Sequence, residues 1–165
     1  MENFINREFT QDYLALKAEN DRLREAGKQW LMDSLASLCG EINSKLSEKA
    51  GGAVLQVGCQ EWQFSVGNST MIGERFGARY QTRTLVVEAG WPRSGEHGFV
   101  PDGGLARARI GLSRNVMLEA LTVAELILKR EGKNVPSWYV IANRQIGERI
   151  TESKLRSYLS LVLEE

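Results

Sequence analysis

The sequence has few of the residues from which metal centres and disulfide frameworks are built. Its 165 residues contain two cysteines, one histidine and three prolines. Cys39 and Cys59 lack CxxC spacing, and a single histidine leaves too few soft ligands for a zinc centre. We therefore predict no disulfide, no bound metal and no cofactor, with both cysteines as reduced, mostly buried thiols.

Long apolar runs are also absent. No stretch of 18 apolar residues occurs, so the sequence predicts no membrane-spanning helix. The first residues, MENFINREFTQDY, are acidic and polar where a secretory signal has a basic start and an apolar run. We therefore expect a cytoplasmic protein with no membrane partner.

Neither sign of charge is in excess. Lysine plus arginine count 21 and aspartate plus glutamate count 21, which excludes a protein whose whole body binds polyanions. The cations are unevenly distributed, however, because no lysine occurs between Lys49 and Lys129. The cations of that region are Arg75, Arg79, Arg83, Arg93, Arg107, Arg109 and Arg114. Any nucleic-acid site must therefore be local.

Residues 1–50 have a helical pattern and form a predicted N-terminal arm. Four apolar residues lie one heptad apart: Phe9, Leu16, Leu23 and Trp30. Gly27 weakens a helix by about 1 kcal/mol relative to alanine, so we expect two helical segments, about 10–26 and 28–49. The positions three residues after these are mostly acidic, which excludes a regular leucine zipper. The helix still has more apolar surface than a small sheet can easily cover, so we expect a homodimer through this helix, and the alternative is packing on the chain's own domain.

Residues 51–165 are predicted to form an α+β domain that joins the arm in one compact unit. The predicted elements are strands around Leu55–Val57 and Trp62–Val66, strands at 82–89 and 105–113, a helix from 114 to about 131, a strand at 138–142 and a last helix capped by Thr151. Gly58 marks a bulge or turn between the first two strands. The order α-β-β-β-β-α-β-α predicts an antiparallel sheet of four to five strands with helices mainly on one face.

Arginines define the first candidate site. Arg107 and Arg109 alternate with small and apolar residues along the strand 105–113, which places both on the open side of the sheet. A further cation from a neighbouring strand is predicted at Arg83. The remaining ligand-binding candidates are Arg79, Tyr80 and Trp91. Guanidinium groups bind phosphate or carboxylate in a bidentate manner, and aromatic rings stack on bases.

An alternative explains the same arginines without a ligand. Carboxylates such as Glu61 and Glu88 could pair with them across neighbouring strands. The arginine face would then be a set of internal ion pairs.

The second candidate site is the glycine-rich connection from Gly90 to Gly104. It contains His97, the only histidine, which could act in acid–base chemistry with Glu96 or Asp102. No GxSxG, HExxH or P-loop motif supplies a nucleophile or metal site, and the alternative is an ordinary loop histidine. These three residues and Glu88 could in principle bind a metal, but their spacing along the chain matches no metal-binding motif.

These observations predict a non-enzymatic binding or regulatory protein. Its recognition surface would be the arginine-bearing sheet face with the glycine-rich loop, and nucleic acid is the first ligand to test. The alternative is a protein-interaction adaptor or chaperone-like dimer that holds an acidic segment of a partner. A small hydrolase or lyase that uses His97 is the third hypothesis.

Overall fold

The structure is a computed structural model that describes residues 2–49, 52–115, 117–132 and 135–164, with side chains of the first helix from residue 10 onward. Within these residues the chain forms a helix, seven strands and a second helix. Their bounds are α1 Glu2–Ser47, β1 Gln56–Val66, β2 Ser69–Tyr80, β3 Arg83–Trp91, β4 Ala106–Ser113, β5 Leu121–Glu131, β6 Val135–Ala142, β7 Gln145–Arg149 and α2 Glu152–Ser160.

The seven strands form one antiparallel sheet in chain order, each hydrogen-bonded to the next. Both helices pack on the same side, which we call the inner face. Its core contains Leu31 and Leu35 of α1, Val87 of β3, Ile110 of β4 and Leu155 of α2, all fully buried. The opposite side is the outer face. The fold is therefore α+β, as the sequence predicts.

Two features of the predicted sheet are wrong. It has seven strands rather than four to five, and the residues predicted as a helix from 114 to about 131 contain β5. β5 buries Leu126, Ile127 and Leu128 in succession, so side chains on both of its faces are buried. Burial of both faces removes the period of two and imitates a helical stripe. Ser113, directly before the predicted helix, does not cap a helix but donates its hydroxyl to the carbonyls of Asn115 and Leu118 in the β4–β5 connection.

The predicted division of the N-terminal helix at Gly27 is also wrong, because α1 is continuous. α1 lies close to the sheet at Gly27, where a Cβ would lie 2.6 Å from a methyl carbon of Leu128. Among the four heptad residues, Leu23 is fully buried, whereas Leu16 and Trp30 are exposed. The side chain of Phe9 lies outside the described residues.

The sheet bends sharply toward its outer face where β2 meets β3. Gly73 and Gly90 are directly paired there, and a Cβ on either would collide with the backbone of the other strand. The bend carries the β1–β2 hairpin end over the outer face, where Arg109 of β4 donates to the Ser65 carbonyl at 3.1 Å. A small second core forms there from Phe64, Val66 and Met71. β1 is continuous through Gly58, so the predicted bulge or turn at that residue is wrong.

Three further strands and the last helix agree with expectation, whereas β2 and β7 were not predicted. β3, β4 and β6 cover the strands predicted at 82–89, 105–113 and 138–142. The Thr151 hydroxyl oxygen accepts a hydrogen bond from the Lys154 backbone N–H at 3.2 Å and caps α2. Among the described residues, neither helix has an apolar stretch of the length needed to span a bilayer.

Candidate functional site

The outer face carries an open cleft, which we call the outer cleft, with a volume of about 540 Å³. Its floor is formed by β3 and β4, including Thr84, Val86 and Gly111. One wall is formed by the β1–β2 hairpin and the other by the β4–β5 connection. A second cavity of about 350 Å³ shares Thr84 and Val86 and extends toward β1. The two together make an elongated depression across the strands.

Trp62 forms part of the hairpin wall, and its position follows from the local sequence. Gly67, with φ of +59°, and Asn68 make a two-residue turn that pairs Trp62 of β1 with Gly73 of β2. Because Gly73 has no side chain, the indole extends over β2 and donates its Nε1–H to Glu88 on β3 at 3.0 Å. The hydrogen bond fixes the orientation of the ring.

Arg75 lies on this fixed ring. Its guanidinium carbon is 4.5 Å from the centre of the Trp62 ring, a cation–π contact. Arg75 is also a lining residue of both cavities. Among the described residues, no carboxylate comes within 4.0 Å of its guanidinium. Arg75 is therefore a pre-oriented cation that is free to bind an anion.

The charges beside Arg75 alternate in sign. Direct cross-strand pairs align Arg75, Glu88, Arg109 and Glu125 in one row across β2 to β5 on the outer face. Arg109 and Glu125 are joined by an ion pair of 3.5 Å. This row of mixed sign contrasts with the uniformly positive face that a polyanion prefers.

Arg107 and Arg109 do share the outer face, opposite the apolar residues of β4, as predicted. Arg107 is nevertheless only 4% exposed. It donates to the Leu126 carbonyl at 3.2 Å and pairs with Asp102 at 3.3 Å and with Glu125 at 3.7 Å. The guanidinium donors of Arg107 are therefore occupied within the chain. This agrees with the alternative in which the arginines form internal ion pairs and need no ligand.

The other predicted ligand-binding residues are dispersed. Arg83 shares its face of β3 with Leu85, so it points to the inner side and does not join Arg107 and Arg109. Arg79 is on the outer face but outside the outer cleft, and its Nε donates to the Gln81 carbonyl at 2.8 Å.

The predicted stacking rings are also taken up within the fold. Trp91 is buried and is covered by the guanidinium of Arg93, 3.8 Å from the ring centre. Tyr80 packs against the inner core. Trp91 therefore offers no open face to a base, and Tyr80 is half-buried.

The loop residues do not assemble into the predicted acid–base pair. His97 ends a short 3-10 turn, Gly95–His97, and its Nδ1 contacts the Ser94 hydroxyl at 3.3 Å. Asp102 is paired with Arg107 instead, and Glu96 is exposed. The loop does border a second cleft of about 630 Å³ against α1, but His97 is not among its lining residues. No cluster of three metal-ligating side chains, including the combination with Glu88, occurs in the described part of the chain.

The structure also reveals a cluster that sequence reasoning missed, on the inner side of β1 and β2. Buried Lys28 of α1 lies 3.0 Å from the Glu74 carboxylate, and the Cys59 thiol donates to the same carboxylate at 3.1 Å. Cys59 itself is exposed, so its predicted burial is wrong, whereas Cys39 is buried as predicted.

The cluster sets the acidity of its members. Partial burial of the Cys59 sulfur, together with its hydrogen bond to Glu74, raises the pKa of Cys59 to about 11. Burial alone would raise the pKa of Glu74, but the hydrogen bonds from Cys59 and Lys28 and the charge of Lys28 lower it. Cys59 is therefore a protonated donor at neutral pH rather than an activated nucleophile.

Sequence reasoning also missed the pairing of Trp62 with Arg75. The available signal was the Gly67-Asn68 turn, because a two-residue hairpin turn fixes the register of both strands and places these two side chains diagonally on one face.

Comparisons with known proteins add no relative. The chain matches no family model, no curated protein and no solved structure.

Proposed function

We propose that the protein is a non-enzymatic binding protein that holds an extended polypeptide segment in the outer cleft. The segment would carry an acidic side chain that binds Arg75. The observation that carries this proposal is the guanidinium of Arg75, which is fixed on Trp62 and has no acidic partner among the described residues. Pre-orientation lowers the entropic cost of binding, and a charged hydrogen bond to a carboxylate would add to the affinity.

The shape of the site supports an extended ligand. The two cavities meet at Arg75 and together follow the outer face across several strands. Gly58 and Gly77 form a flat floor beside Arg75, with open space where their side chains would be. A chain in extended conformation could lie along this floor without displacing protein side chains.

The rim of the cleft supports a ligand with apolar side chains as well. Leu118 lines the cleft and is 63% exposed, and Met117, its neighbour in the chain, is exposed as well. Exposed apolar side chains around a polar anchor are typical of protein-binding surfaces. This combination favours the adaptor hypothesis over an enzyme.

The charge pattern favours a polypeptide over nucleic acid. Glu88 and Glu119 line the cleft beside Arg75, and Arg107 is already engaged in ion pairs within the chain. The successive phosphates of a nucleic acid would be repelled by these carboxylates. A peptide with one acidic side chain among neutral ones would place its single negative charge at Arg75 and avoid this repulsion. Nucleic-acid binding and the cytoplasmic location both stay predictions from the sequence.

The test measures binding of defined probes by fluorescence anisotropy. One probe is a pool of short labelled peptides with a central glutamate between apolar residues, and its match has glutamine at the same place. A single-stranded oligodeoxythymidine is the nucleic-acid probe. We expect the glutamate pool to bind and the glutamine pool to bind more weakly.

Two variants locate the site. Arg75→Gln should weaken binding of the glutamate pool by about 10- to 100-fold, because a hydrogen bond to a charged group contributes about 1.5–3 kcal/mol. Arg79→Gln removes the same charge from the same face outside the cleft and should leave affinity unchanged. Equal losses in both variants, or tighter and strongly salt-dependent binding of the oligonucleotide, would overturn the proposal.

A further inference from the structure

The edge of β1 that faces away from β2 is an exposed edge of the sheet. β1 is the first strand of the sheet and pairs with β2 alone among the described strands. It is eleven residues long, and the side chains from Gln56 to Glu61 are all exposed. Glu61 is its only charged residue. The Ser65 carbonyl near the end of this edge is bound by Arg109, but the exposed half of the edge carries so little charge that its backbone N–H and C=O groups could readily pair with another strand.

The other edge of the sheet is protected. β7 has five residues, and its pairing with β6 is irregular between Tyr139 and Ile141. Two residues of β7 are charged, and both form ion pairs: Glu148 with Lys154 and Arg149 with Glu131. Short, charged and irregular edges resist strand addition. The contrast marks β1 as the edge that is available for pairing.

We propose that β1 pairs antiparallel with β1 of a second copy of this chain, which joins the two sheets edge to edge. The proposal is independent of the function of the outer cleft. A two-fold axis near Gly58 and Cys59 lets the exposed half of each strand face itself.

The charge pattern of β1 suits self-pairing. With the axis near Gly58 and Cys59, Glu61 of each copy faces the uncharged start of the other strand, so the two carboxylates do not oppose each other. Val57, which is 45% exposed, lies next to the proposed axis and would lose contact with water. The strand thus needs no complementary partner of another sequence.

The pairing places the two outer faces side by side. Gly58 and Gln60 of each copy line the cavity nearest β1, so the depression of one copy continues into that of the other. The two Arg75 residues would be three strand spacings apart across the joined sheet, roughly 14 Å, and further apart in total because they are also offset along the strands. The apolar area at the edge is small, so we expect a concentration-dependent dimer rather than an obligate one.

The test is the solution mass of the full chain, measured by sedimentation velocity over a series of concentrations. We expect the mass to rise toward that of two chains. Gly58→Lys should return it to that of one chain, because the two lysines would meet near the axis. Lysine is no worse than glycine in a strand, so the variant should fold, and circular dichroism checks this. Gln145→Lys adds the same charge to β7 and should leave the dimer intact.

A second measurement locates the contact. Cys59 lies near the proposed axis, so a short bismaleimide should link two wild-type copies, and Gly58→Lys should abolish the link. A chain that stays monomeric at all concentrations overturns the proposal. So does a dimer that survives Gly58→Lys and is lost in Leu16→Glu, because this result assigns the contact to α1 as the sequence predicts. Arg75→Gln should not change the mass, which separates this test from that of the cleft.

Discussion

The indole N–H of Trp138 on β6 donates to the carbonyl oxygen of Gly27 on α1 at 2.9 Å, and both residues are buried. The bond spans 111 positions of sequence and joins the middle of the long helix to the sheet. It lies where the absence of a side chain at Gly27 lets the helix touch Leu128. At this point helix and sheet therefore meet through the backbone of α1, whereas further along the helix Leu31 and Leu35 pack their side chains into the inner core.

The first prediction compares two glycines of α1. Gly27→Ala should lower the free energy of unfolding by about 1–3 kcal/mol, because the added methyl overpacks the fully buried Leu128. Gly40→Ala should raise it by about 0.5–1 kcal/mol, since Gly40 is exposed in the same helix with open space around it. Urea denaturation measures both. Stabilisation by both variants would show that α1 does not approach the sheet at Gly27.

The second prediction compares the two outer-face arginines of β4. Arg107→Ala should destabilise the protein by about 3 kcal/mol, because it breaks a buried set of ion pairs and backbone hydrogen bonds. Arg109→Ala should cost less than about 1 kcal/mol, since its side chain is 31% exposed. Denaturation midpoints distinguish the two. A small effect of Arg107→Ala would return this residue to the pool of ligand-binding candidates.

The third prediction concerns thiol reactivity. The pKa of Cys59 is raised to about 11 from an ordinary value of 9.0, so alkylation at pH 8 should be roughly 100-fold slower than that of a free thiol. The rate should rise with pH until the solution reaches that pKa. Glu74→Gln removes the carboxylate that stabilises the protonated thiol, lowers the pKa and should accelerate alkylation.

Mass spectrometry of the alkylated peptides follows each cysteine separately. Buried Cys39, whose pKa burial also raises to about 11, should remain unmodified in the folded protein. An unchanged Cys59 rate in Glu74→Gln would contradict the hydrogen bond between these two side chains.

The fourth prediction tests the bend in the sheet. Gly73→Ala should destabilise the protein by at least about 1–3 kcal/mol, because the methyl collides with the backbone of Ala89, which cannot move aside as a flexible side chain can. Gly77→Ala, four residues later on the same face, meets open space and should be neutral or slightly stabilising. Thermal melts of the pair suffice. Equal melting temperatures would rule out a close approach of β2 and β3 at Gly73.

The sheet bend also explains which strands sequence analysis could recognise. The inner face is buried along most of β3 and β4, and alternation along β4 predicts that strand, although Val86 and Arg107 are buried on the outer face as well. β1 and β2 bury Phe64 and Met71 on the outer face but Phe76 on the inner face, because the hairpin end folds over the sheet. The change of buried face breaks the period of two. The sequence pattern therefore does not predict β2, and it predicts two short strands in place of β1.

The candidate site was likewise predictable only in part. Alternation along β4 correctly placed Arg107 and Arg109 on one face, since neighbouring side chains on a strand point in opposite directions. Alternation does not show what covers that face. Asp102 and Glu125 reach Arg107 through the loop and through β5, and neither contact follows from spacing along β4.

The amino-acid sequence by itself determined the α+β class, the helical N-terminus, the strands with one buried face and the cap of α2, because each depends on short-range periodicity or on a local hydrogen bond. Only the tertiary structure decided that 121–131 is a strand, that Arg107 is internal and that Arg75 lies on Trp62. These three outcomes depend on the cross-strand register and on the bend at Gly73 and Gly90, which join residues far apart in the chain.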